Sequence, residues 1–107
     1  MTISQTLATS ISGLNVNARK ANVSAYNIVN QNTPGFKALE VRPVSVNTVP
    51  TASGGSGVIA QAFQTNQGVD LALEFTRLIE AQTAYKASVK AIQIAEEIER
   101  KTLDVLS

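Results

Sequence analysis

Leu7, Ile11, Leu14, Ala18, Ala21, Ala25 and Ile28 step along this chain by 4-3-4-3-4-3. That spacing holds seven small or aliphatic side chains on one side of an α-helix, as in a helix that packs lengthwise against another. It predicts a helix over about residues 3–31, roughly 43 Å long at ~1.5 Å per residue. Thr2 and Gln5 offer a capping box at its start. Gly13 falls inside the helix, where glycine costs about 1 kcal/mol relative to alanine. Two readings of Gly13 stay open: a tolerated defect, or a point where another backbone comes close.

The C-terminal segment repeats the design. Leu71, Leu78, Tyr85 and Ile92 recur every seven residues, with Ala81, Ser88 and Ala95 at the intermediate positions. Asp70 is placed to cap a helix over about 70–105, and Glu74 suits the positive end of its dipole. Glu96–Arg100 and Glu97–Lys101 have the favoured i,i+4 order. Only 5% of the chain is aromatic, so Ala, Val, Ile and Leu must carry the packing. That suits closely approaching helices better than a thick core.

Phe75, Ile79, Val89 and Ile98 lie off the C-terminal seam. Either the helix pair carries a wide, partly exposed apolar face, or the chain completes its core only among copies of itself.

Between the helices the pattern changes. A-L-E-V-R-P-V-S-V-N-T-V alternates β-branched residues, and G-V-I-A-Q-A-F-Q reads as a returning strand. The connector P-T-A-S-G-G-S-G is flexible-loop chemistry, and Pro43 confines its strand to an edge. Such a β-hairpin is marginal if it stands alone. The expected fold is therefore mainly α: long N- and C-terminal helices packed as an antiparallel coiled-coil-like pair, with a short β-hairpin or irregular loop between them. At 107 residues it should form one domain in three parts: residues 1–32, 33–68 and 69–107.

Several function classes find no support. Nine Lys/Arg against eight Asp/Glu leave a net charge of +1, which is no electrostatic footprint for nucleic acid. The signs are nevertheless split: Arg19, Lys20, Lys37 and Arg42 face only Glu40 in residues 1–68, whereas acids outnumber bases afterwards. Cysteine, histidine and tryptophan are absent, so disulfides, Cys/His zinc sites and thiol or imidazole catalysis are excluded. No stretch approaches the ~20 apolar residues of a membrane span, and no signal peptide is visible at the start.

S-G-G-S-G lacks the Gly-Lys-Ser/Thr of a phosphate loop and does not lead into a helix. Ser88 and Lys90, two residues apart, point to different faces. Glu96, Glu97 and Glu99 read as a solvated face. No catalytic residue, cofactor or metal ligand is expected, and the chain does not read as an enzyme.

The densest run of special residues is Y-N-I-V-N-Q-N-T-P-G-F-K, residues 26–37. Asn32 near the helix end tolerates left-handed backbone, Pro34 stops the helix, and Gly35 can supply positive φ in a type II turn before Phe36. An ordinary helix stop explains those positions. Asn27 and Asn30 come too early for it, which leaves amide bonds to a neighbouring helix or to the returning loop as the other reading.

S-G-L-N (12–15), N-I-V-N-Q-N-T-P-G-F-K (27–37), V-D-L-A-L-E-F (69–75) and I-E-A-Q-T-A-Y (79–85) together resemble the bacterial flagellar rod and hook axial proteins. Those proteins carry a leading S-G-L, an N-N-I-A-N-x-N-T-x-G-[YF]-K motif and a closing V-D-[LV]-x-x-E helix ending in Q-x-A-Y. Small size and the final K-T-L-D-V-L most resemble the proximal rod subunits. Tyr26 departs from the pattern, standing where the first Asn of the N-N pair is usual.

The resemblance implies a single axial-core domain that polymerises helically in the periplasmic basal-body rod. It implies partners among copies of itself, other rod and hook axial proteins and the flagellar export apparatus, with export that needs no cleaved signal peptide. Asn27, Asn30, Asn32, Thr33, Gly35 and Phe36 carry over to the family motif, with Pro34 in its variable position, and Tyr85 to the closing Ala-Tyr. A contrasting reading is a soluble helical-hairpin adaptor or export chaperone that binds partners without polymerising.

Overall fold

The computed structural model describes residues 3–47 and 56–106. Helix α1 (Ile3–Val29) leads through a turn to strand β1 (Leu39–Asn47), then strand β2 (Ser56–Gln64) and helix α2 (Leu71–Leu106). Lys20, Val23 and Ser24 near the end of α1 line one groove with Glu74, Arg77 and Ala81 near the start of α2. The helices are therefore antiparallel, in a molecule measuring 63 × 28 × 14 Å. The proposed Thr2–Gln5 capping box involves a residue outside the described ones, as does most of the P-T-A-S-G-G-S-G connector.

Asp70 caps α2 as the sequence predicts: its Oδ1 accepts the Leu73 N–H at 3.2 Å, and its carbonyl accepts the Glu74 N–H at 2.9 Å. That satisfies donors which the first helical turn leaves free. Hydroxyls along α2 bond back to their own helix, with Thr76, Ser88 and Thr102 donating to the carbonyls of Ala72, Ala84 and Ile98. Of the two i,i+4 pairs, Glu97–Lys101 forms at 3.3 Å, whereas Glu96 and Arg100 do not come within ion-pair distance.

The β-hairpin is regular, running from Leu39 opposite Gln64 to Asn47 opposite Ser56. Pro43 stands opposite Ala60, where a two-stranded ribbon tolerates its missing N–H on a free edge. The base is closed by Thr65, whose N–H and Oγ1 both donate to the Ala38 carbonyl at 2.9 and 2.7 Å. The Arg42 guanidinium lies 4.4 Å from the Phe63 ring centroid, a cation–π contact between diagonal neighbours on one face.

The hairpin does not stand alone, because it packs on α1. Ser12 makes one of the ties: its Oγ donates to the Thr9 carbonyl at 2.7 Å and accepts the Val58 N–H at 3.2 Å. Among the described residues the buried core is small. Its apolar members are Val16, Ala38 and Ala81, and its polar members are Ser24, Asn27 and Glu74.

Candidate functional site

The motif of residues 26–37 forms a clasp between α1 and the β-hairpin. Asn27 is fully buried. Its Nδ2 donates to the Leu39 carbonyl at 2.8 Å, and its Oδ1 accepts the Leu39 N–H at 2.9 Å. One side-chain amide thus satisfies both backbone groups of the first strand residue, as a neighbouring strand would. The helix-to-loop bond is therefore the one Asn27 makes within the chain.

Asn30 serves the helix end instead. Its Nδ2 donates to the Tyr26 carbonyl at 2.9 Å, and its Oδ1 accepts the Thr33 hydroxyl at 3.2 Å. Among the described residues only Gly35 has positive φ, at 74°. The left-handed backbone that Asn32 would tolerate is thus not used. The Phe36 N–H donates to the Thr33 carbonyl at 3.1 Å, closing a turn with Pro34 at its second position and Gly35 at its third, the type II arrangement.

That turn swings Phe36 back over α1, where its ring meets Tyr26 edge-on at a centroid distance of 5.6 Å. Tyr26, the residue out of keeping with the axial-protein pattern, therefore has a packing role. Asn32, Thr33, Pro34 and Gly35 are exposed, and Phe36 is half-buried.

The two seams fare differently. On α2, Ala81 is buried, Leu78, Ser88, Ile92 and Ala95 are half-buried, and Leu71 and Tyr85 are exposed. On α1, Leu7, Leu14, Ala18, Ala21 and Ile28 are half-buried, while Ile11 and Ala25 are exposed. The deepest α1 positions are Val16, Ser24 and Asn27, on a stripe turned away from the heptad seam. Asn27 and Ser12 bond to the β-hairpin and Ser24 lines the groove shared with α2, so apolar periodicity alone does not reveal these positions. Beyond its own helix, nothing among the described residues lies within 4 Å of where a Cβ on Gly13 would stand, so none of them brings a second backbone close there.

Off the seams, Phe75, Ile79 and Ile98 are exposed and Val89 is half-buried. From Arg100 to Leu106 every residue is exposed. Glu74, expected only to favour the helix dipole, is instead buried beside Arg77, with Oε1 3.5 Å from its Nη1. No cluster of three or more acidic side chains able to hold a metal ion occurs among the described residues. No described helix is long and apolar enough to cross a membrane.

Fold and site define a small helical pair that clasps a β-hairpin and leaves much of its longer helix uncovered. Residues 60–105, covering the end of β2 and nearly all of α2, match the family model described as flagellar basal body rod FlgEFG protein C-terminal. This match supports membership of the flagellar basal-body rod and hook family. The N-terminal motif lies outside the matched residues. No curated protein matches the chain.

Proposed function

We propose that this chain is a structural subunit of the bacterial flagellar basal-body rod, polymerising helically through its terminal helices and so supporting torque transmission and motility. One observation carries the reading: α2, the element matched by the rod family, exposes Phe75, Ile79, Ile94, Ile98, Leu103, Val105 and Leu106. The single chain leaves about half or more of each of these side chains open, whereas stacked copies would bury them. The chain works as one axial-core domain in the periplasmic part of the basal body. Its partners are copies of itself and other rod and hook proteins, reached through the flagellar export apparatus without a cleaved signal peptide. Its role is structural rather than catalytic.

Isolated helices are only marginally stable in water. Helicity and assembly should therefore rise together when circular dichroism and sedimentation are followed over a wide concentration range. Full helicity in a dilute, demonstrably monomeric sample would sink the assembly-coupled version. A particle that stops at a small closed oligomer would favour the adaptor instead. Ile92→Asp should abolish assembly and motility, whereas Glu97→Ala should leave both near normal; equal effects would overturn the assignment of faces.

A further inference from the structure

The groove between the end of α1, the start of β1 and the first turns of α2 holds an unfinished electrostatic site. It has a volume of ≈ 280 Å³ and is lined by Lys20, Ser24, Leu39, Glu74, Arg77 and Glu80, among others. Glu74 lines it with only 2% of its surface exposed. One carboxylate oxygen, Oε1, reaches Arg77 at the long distance of 3.5 Å. The other, Oε2, is buried and has no hydrogen-bond partner. A carboxylate oxygen removed from water without a donor is costly, so this atom has room for one more bond.

We propose that the groove receives a positively charged side chain, a guanidinium or an ammonium, from a second copy of this chain, and that this group donates to Glu74 Oε2. The inference rests on the assembly reading above. Three observations favour a second copy as the source. Arg19, Lys37, Lys86, Lys90 and Arg100 enter no ion pair among the described residues. Lys20, although it lines the groove, does not satisfy Oε2. Leu73, with the i,i+4 and i,i+7 spacing that sets it on the same side of α2 as Arg77 and Glu80, is 43% exposed. The groove therefore has an uncovered apolar neighbour as well as an unmet acceptor, the pairing of anchor and charge that a protein partner fits.

The test compares full-length wild type with Glu74→Met and Glu74→Gln by sedimentation velocity across concentration, with thermal melts of the dilute chains alongside. Methionine keeps the bulk and removes the orphaned acceptor. The melting temperature of the dilute Glu74→Met chain should stay level or rise. Its self-association should weaken by roughly 30-fold or more, the scale of losing one partner of a buried charge pair. Glu74→Gln should fall in between, because its amide oxygen still accepts but carries no charge. Wild type and Glu74→Met associating equally well would overturn this inference alone. So would a clearly lower melting temperature for dilute Glu74→Met, since the carboxylate would then be satisfied within the single chain. A wild type that never associates would overturn both this inference and the rod reading.

Discussion

The two ends of the helix pair are built on different terms. Where α1 finishes and α2 starts, Ser24, Asn27, Ala38, Glu74 and Ala81 are buried, and Asn27, Thr65 and Asp70 tie side chains to backbone. At the far end of α2, residues 100–106 are all exposed, and Lys101 pairs with Glu97 at the surface. The first end is specified by local bonds that a single chain can make. The second offers Leu103, Val105 and Leu106, exposed by 62%, 85% and 79%, the surface that the proposed assembly would cover.

Leu103→Asp should break the comparison most sharply if the bare end is only a frayed helix. Sedimentation should find assembly abolished, while circular dichroism of the dilute chain stays the same; unchanged assembly would make the far end a free surface. At the clasped end, Asn27→Ala leaves the Leu39 N–H and carbonyl without partners. Each orphaned buried group costs ~1–3 kcal/mol, so denaturant melts should register a loss of roughly 2–4 kcal/mol and hydrogen exchange at Leu39 should accelerate. Asn30→Ala, which loses only bonds at the helix end, should cost under about 1 kcal/mol. Equal losses would mean that Asn27 is no clasp.

Smaller changes sharpen the same contrast. Gly35→Ala forces a Cβ into left-handed backbone and should cost ~1–2 kcal/mol. Gly13→Ala meets open space in the single chain and should stabilise it by about 1 kcal/mol. A loss of assembly in that same variant would restore the close approach at Gly13, now between subunits. Glu97→Ala removes an exposed pair and should shift stability by less than ~0.5 kcal/mol.

The sequence spoke clearly wherever a local rule sets the structure. Asp70 caps, Gly35 turns behind Pro34, and alternation in 39–47 and 56–64 makes strands. On α2 the expected seam runs from buried Ala81 through half-buried Leu78, Ser88, Ile92 and Ala95 to exposed Leu71 and Tyr85. On α1 the deepest positions, Val16, Ser24 and Asn27, lie off the heptad seam. That helix has two neighbours, and the one without a heptad signal, the β-hairpin, is held through Ser12 and Asn27. Polar side chains that bond to a strand backbone leave no hydrophobic trace. Glu74 was hidden for a related reason: a carboxylate in a first helical turn has an adequate explanation at the surface, and only packing reveals that it is inside.

The pairing of Asn27 with Leu39 works as an index pin. Strands can slip along a partner, and a slip of one residue turns every side chain to the opposite face. An amide that grips both backbone groups of a single residue permits one setting. Counting from that tooth, Arg42 comes over Phe63 and Val58 arrives at Ser12. If copies of this chain stack into a tube, each brings its ribbon at the same angle around its helix, so an error fixed once in the subunit is not multiplied along the array.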